Sequence, residues 1–130
     1  MATEQFQRIS YDRQRVTAGI MHVGVGAFHR AHQAVYVDQL LDQHPEWGIC
    51  GVNLRAEDRP LFDALKAQQG SYVLKTMSAT GDTEFREIGS IVELIDASAH
   101  YADAVSRAAD PAIRIVSMTV TESGYNLDEH

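Results

Sequence analysis

Cysteine is almost absent from this chain. The 130 residues contain one, Cys50, so no intrachain disulfide can form, and the sequence suits a reducing, cytoplasmic setting. Positive charge is scarce too: 11 Lys and Arg stand against 18 Asp and Glu, a formal charge of −7. Nucleic acid and anionic membranes are held through clustered basic side chains, so neither is an expected partner. No apolar run approaches the roughly 18 residues that cross a bilayer, and the longest, residues 113–120, has the length of a strand. The first ten residues lack the apolar stretch of a secretory signal. Repeats, low-complexity tracts and a GxSxG nucleophile turn are also missing. His29 and His32 share the i, i+3 spacing of a helix face, but no further His/Cys cluster completes a tetrahedral site, so no metal is expected.

With 45% hydrophobic and 22% charged residues, the composition is that of a globular protein of one-domain length, able to bury about two-thirds of its unfolded surface. Residues 1–18 are mostly polar without periodicity and read as an arm crossing the surface of a domain formed by residues 19–130. Residues 20–23 form an apolar strand that runs into Gly24-Val25-Gly26. A helix follows, with Ala31, Ala34, Val35, Val37, Leu40 and Leu41 on one face, expected to end near His44-Pro45. Residues 49–54 are a second strand, which completes a βαβ unit with a right-handed crossover. A helix opens at Glu57-Asp58-Arg59-Pro60 and closes at Gln69-Gly70. Residues 72–77 and 84–88 read as an antiparallel hairpin around Gly81-Asp82, which predicts a sheet of mixed direction. An alanine-rich helix over 97–109 precedes residues 113–120, whose β-branched run predicts a strand buried on both faces. The fold class is α/β: a Rossmann-like, partial doubly wound sheet, mostly parallel, with one antiparallel hairpin.

A glycine turn between a strand and a helix is how a parallel sheet grips a dinucleotide's pyrophosphate. The first glycine allows the tight turn, and the second lets main chain approach the phosphates at the helix start. That terminus favours anionic charge by about 0.3–2 kcal/mol. The candidate cofactor contacts are Gly24, Val25, Gly26, Ala27, Phe28, His29 and Arg30, the last through charge-assisted hydrogen bonds. The alternative is an ordinary turn, because His29 occupies the third glycine position of GxGxxG. Glu57 and Asp58, just past the second strand, can accept from the adenosine ribose hydroxyls and repel a 2′-phosphate; Asp58 can equally cap the helix at Pro60. Glu122 and Tyr125, after the last strand, are candidates near the reacting ring. Tyr72 and Lys75 are three apart in a strand and do not form a catalytic Tyr-Lys pair.

Residues 24–38, GVGAFHRAHQAVYVD, closely resemble the opening of the mannitol dehydrogenase family, the polyol-specific long-chain dehydrogenases and reductases. In that family's phosphate loop GxGxFxRAHQA replaces GxGxxG. Residues 50–59 (CGVNLRAEDR), 88–91 (IGSI) and 113–125 (IRIVSMTVTESGY) resemble it as well, so the likeness runs from Gly19 to Tyr125. It implies an N-terminal NAD-binding portion, with Glu57 and Asp58 favouring NAD over NADP. It also implies a whole enzyme that moves hydride between a polyol and a ketose without catalytic zinc. Mannitol and fructose lead, with arabinitol and the hexuronates fructuronate and tagaturonate as rivals. The family's catalytic lysine, asparagine and histidine lie in a helical C-terminal domain that nothing here matches. No catalytic residue is therefore expected in this chain, and no turnover from it alone. A non-catalytic dinucleotide-binding module, or an S-adenosylmethionine site on a similar loop, stays open from the residues themselves. Oligomeric state is not legible.

Overall fold

Alternation along the central strands sends successive side chains to opposite faces, so two apolar layers must be covered. The computed structural model, which describes residues 3–120, shows how. Its strands are β1 (Glu4–Gln7), β2 (Ala18–Val23), β3 (Gly48–Asn53), β4 (Tyr72–Met77), β5 (Thr83–Ile88), β6 (Ile91–Asp96) and β7 (Ile115–Met118). Its helices are α1 (Ala27–Ala31), α2 (Gln33–Asp38), α3 (Arg59–Ala67) and α4 (Tyr101–Ala108). Ile20 and Ile49 pack with Ala34, Val37, Leu41 and Leu65 beneath α2 and α3. Their neighbours Met21 and Cys50 point the other way, to Ala104 of α4 and Ile113. Helices therefore cover both faces. Burial pushes the Cys50 thiol up to about 12, which leaves it an inert core residue.

Four strands form the main sheet in the order β6-β3-β2-β7, each neighbouring pair parallel. The chain builds outward from β2 through β3 to β6, then crosses back to lay β7 on the far side of β2. At such a reversal the connections leave in opposite directions, and a crevice opens outside the carboxyl ends of β2 and β7.

The hairpin of β4 and β5 is antiparallel, as its turn residues predict. It does not join the main sheet. Together with β1, which lies parallel to β5, it makes a separate three-stranded sheet of mixed direction, while the main sheet is parallel throughout the described residues. The chain changes sheets at Gly89-Ser90, between β5 and β6. Gly89 is buried there against Ile9 and Arg13, where a side chain would collide.

Three further expectations meet corrections. The opening arm contains β1, whose four residues are all exposed, so parallel pairing with β5 and the Phe6–Phe85 stack form it, and no buried apolar pattern announces it. The first long helix is broken at His32 (φ −124°, ψ −89°) into α1 and α2. There the His32 ring donates from Nδ1 to the Phe28 carbonyl at 2.7 Å, while its main-chain N–H bonds His29 instead. Finally, β7 is an edge strand with Ile115, Val116 and Met118 exposed. Its apolar character is real, but nothing among the described residues covers it.

One carboxylate ties the arm, the hairpin sheet and α2 together. Buried Asp38 accepts from the Tyr11 hydroxyl, from the Gly89 N–H at 2.9 Å and from Arg86 at 3.2 Å. Burial raises the Tyr11 pKa, and the Asp38 bond adds to the rise. Removing this carboxylate strands three donors at once, so Asp38→Ala is expected to cost about 3–5 kcal/mol. Urea unfolding should show it as a lowered midpoint, with exposed Asp42→Ala within about 0.5 kcal/mol of wild type.

Candidate functional site

The crevice begins where β2 ends. Gly24 turns the chain at φ +91°, in the region that favours glycine, and donates its N–H to the Val52 carbonyl at 2.9 Å. Gly26, at the start of α1, has an ordinary φ of −90°. A Cβ added there would meet nothing within 4 Å. Gly26 is thus not needed for the backbone, nor for packing. What its missing side chain provides is bare main chain facing open space, the requirement for an approaching diphosphate.

That space is a cleft of about 540 Å³. The loop from Gly24 to Phe28 forms its floor, the end of β3 contributes Asn53, Arg55 and Asp58, α3 supplies Leu61 and Phe62, and Thr119 and Val120 close it beyond β7. Buried Asn53 donates to the Arg55 carbonyl at 3.0 Å and to Asp96 at 3.1 Å. Arg59 at the start of α3 reaches the same Asp96 at 3.0 Å, so the wall made by α3 is pinned to the ends of β3 and β6. Arg55 is paired with Glu57 at 2.9 Å and with Asp58 at 3.5 Å. Glu57 is held below the usual carboxylate range, first by its own main-chain N–H and then by Arg55.

Of the loop residues singled out from sequence, Gly24, Val25, Gly26, Ala27 and Phe28 line the cleft, whereas His29 and Arg30 lie behind it. His29 is 1% exposed and stacks on buried His22 with ring centroids 3.7 Å apart. Its Nε2 meets Gln33 at 2.9 Å, while Nδ1 has no hydrogen-bond partner among the described residues. His22 in turn reaches Ser117 and Thr119 at 2.8 and 3.1 Å, which joins the loop to the end of β7. Arg30 folds back to the Gly26 carbonyl at 3.3 Å and lies over the Tyr72 ring. It braces the turn from outside.

Asp58 lines the cleft, while Glu57 stands beside it as the Arg55 partner. Glu122 and Tyr125 lie outside the described residues. Thr119, at the exit of the last strand, lines the cleft as well. Asn53 and Arg55 were missed, although the rule that ligands gather at carboxyl ends of strands pointed to them. Leu61 and Phe62 carried no such signal, because which side of α3 meets the cleft depends on its docking to β6. The rings of His29 and His32 separate, the first buried against His22 and the second exposed against Phe28. No cluster of His, Cys, Asp or Glu fit for a metal occurs among the described residues.

Residues 18–129 match the family model described as the mannitol dehydrogenase Rossmann domain. The chain is 47% identical over 123 residues to a mannitol 2-dehydrogenase of Pyrenophora tritici-repentis, an alignment covering 93% of this chain and 22% of that protein. A substrate-free crystal structure of D-sorbitol dehydrogenase superposes with a TM-score of 0.89 at 37% identity, over 99% of this chain and 29% of that one. A Pseudomonas fluorescens mannitol 2-dehydrogenase, solved as a ternary complex with NAD and D-mannitol, gives 0.86 at 43% identity, over 92% and 25%. The chain spans about a quarter of the length of these relatives.

The histidine stack carries a pH dependence. Burial, and then the neighbouring His22 ring, lower the His29 pKa from 6.5 to about 4. Between those values the unfolded chain binds more protons than the folded one, so stability is complete above pH 6.5 and falls as pH drops toward 4. The loss from this ring is at most about 3 kcal/mol. Urea midpoints between pH 7 and 5 should fall less steeply for His29→Phe, which keeps the stack without the titrating nitrogen.

Proposed function

The chain belongs to the mannitol dehydrogenase family, and on that premise we propose that it binds NAD across the crevice at the β2–β7 reversal, as the cofactor-binding part of a polyol dehydrogenase. The observation that carries this reading is the open cradle at Gly26, where a side chain would fit the fold and would fill the place of a diphosphate. The Pseudomonas relative, crystallised with NAD and D-mannitol, supports it.

The residues sort themselves around that ligand. Main chain from Gly24 to Phe28 receives the pyrophosphate, with Arg30 and Tyr72 holding the turn from behind. Asn53, Arg55 and Asp58 at the end of β3 receive the adenosine ribose, and Leu61 and Phe62 make an apolar wall for its base. Glu57 and Asp58 set the preference for NAD. Their carboxylates engage Arg55, the one cation lining the described cleft, which would otherwise welcome a 2′-phosphate. When bound, NAD supplies hydride exchange at the nicotinamide ring. This chain's residues orient that ring and exclude water on one side.

The reaction proposed for the whole protein is hydride transfer between a sugar alcohol and its ketose, mannitol and fructose first, with hexuronate reduction as the alternative within the family. The proton-handling groups would belong to the part of the relatives' length that this chain does not span. No helix among the described residues is long and apolar enough to cross a membrane, and we place the protein in the cytoplasm on the strength of its single, buried cysteine.

Micromolar affinity requires about −8 kcal/mol, far more than one helix terminus supplies, so binding to this chain alone is expected at millimolar NAD and is best followed by NMR. Gly26→Ala should leave the melting temperature unchanged and weaken NAD at least about tenfold. Wild-type affinity in that variant would sink the assignment. Glu57→Gln with Asp58→Asn should raise affinity for NADP relative to NAD by about tenfold, since it frees Arg55 and removes the opposing charge; an unchanged ratio in competition titrations would show that this pair does not select the cofactor.

A further inference from the structure

Phe28 is the anomaly of the cleft. It is 63% exposed, although burying a phenylalanine side chain is favourable by about 1.5–3 kcal/mol, and it stands in the cleft lining one residue past Ala27. Nor is it loose. Its ring lies on the His32 ring, centroids 4.2 Å apart and planes within 23°, and His32 is itself anchored to the Phe28 carbonyl through Nδ1. The break between α1 and α2 at His32 is what allows this. In an unbroken helix the His32 main-chain N–H would occupy the Phe28 carbonyl, and the imidazole would lose its anchor. One face of Phe28 is thereby covered, and an exposed aromatic surface is held rigid at the mouth of the crevice.

We propose that Phe28, backed by His32, is the platform on which the nicotinamide ring of the cofactor rests. The adenosine half is drawn to the other wall, where Asn53 ends β3, Arg55 and Asp58 follow it, and Leu61 and Phe62 offer apolar contact. The β7 side, with Thr119 and Val120, is left for the nicotinamide. The start of α1 that carries Phe28 sits beside β2 and β7, since neighbouring His29 stacks on His22 of β2 and connects through Gln33 to Ser117 of β7. The oxidised nicotinamide is a flat cation, and a fixed phenyl face suits it through both stacking and the ring quadrupole. Phe28 is thus a positioning residue for hydride transfer, setting which face of the ring is shielded and which is presented to substrate.

This inference rests on the cofactor assignment above, and its test separates the two. NAD+ and ADP-ribose, which lacks only the nicotinamide, are titrated into the 130-residue chain and its variants while ligand proton signals are followed. In wild type the nicotinamide protons should move upfield from the ring current of Phe28. Phe28→Ala should abolish that shift and weaken NAD+ about fivefold, with ADP-ribose unchanged within twofold and the adenine signals moving as before. Phe28→Tyr should retain the shift, and His32→Ala should reduce it. Equal weakening of both ligands by Phe28→Ala, or nicotinamide signals indifferent to the substitution, overturns the platform while the cofactor site stands. Absence of binding by either ligand to wild type overturns the cofactor assignment and the platform with it. Because Phe28 is exposed, the variants are expected to fold, and their melting temperatures check this.

Discussion

The site depends on how closely the phosphate loop can sit on the sheet. Val25, in the middle of the loop, packs against Gly51 of β3 so tightly that a Cβ at Gly51 would lie 2.6 Å from a Val25 methyl. Gly24 then turns the chain with a conformation that other residues resist, and its N–H is tied to β3 at Val52. Once Val25 is seated, Gly26 and Ala27 have one place to go, and the main chain of the α1 start is bared toward the crevice. Glycine is required at Gly51 by packing and at Gly24 by the backbone, whereas at Gly26 neither demands it and the proposed approach of a diphosphate accounts for it. Three glycines within one neighbourhood answer three separate constraints.

Behind the loop, polar groups do what apolar packing alone would not. The His22–His29 stack ties the first turn of α1 to β2, and its hydrogen bonds reach Ser117 of β7 and Thr119 just beyond it. The two strands that flank the reversal are therefore joined to the loop by neutral imidazoles, whose burial keeps them neutral. On the far side, Ser90 donates to the Ala34 carbonyl at 2.6 Å and Asp38 gathers Tyr11, Gly89 and Arg86. The helix above the loop is thus fixed at both ends, and a loop that must present main chain in one orientation is given little freedom.

Much of this is legible in the sequence. The glycine turn, the βαβ order, the hairpin and the likeness to polyol dehydrogenases all follow from local signals, namely turn residues, periodicity and a specific motif. What escaped was non-local. β1 forms without a single buried side chain, so nothing in Glu4–Gln7 marks it as the partner of β5. His32 breaks a helix whose apolar spacing continues through it, because a ring-to-carbonyl bond competes with the helical one. His29 and Arg30 fall within a phosphate-loop motif yet serve as its support, since side-chain direction on a short helix is decided by what lies beneath. The pattern of residues 113–120 correctly marks an apolar strand but cannot say how many neighbours that strand has.

That exposed strand also bears on how a cofactor is held. The bare loop and the helix start contribute only a modest share of the free energy that tight dinucleotide binding demands, so most of it must come from ring and ribose contacts along the walls. On the β3 side the walls are in place: Asn53, Asp58, Leu61 and Phe62 are fixed by Asp96 and the start of α3. On the β7 side Phe28 rests on the His32 ring while Ile115, Val116, Met118 and Val120 are exposed. An apolar edge of this kind is costly to leave in water, and covering it would deepen the crevice on the side to which the nicotinamide is assigned by the proposal above. Under the proposed cofactor assignment, affinity is then coupled to β7: a surface that shielded these side chains would also exclude water from the nicotinamide face, and so would link binding of the dinucleotide to readiness for hydride transfer.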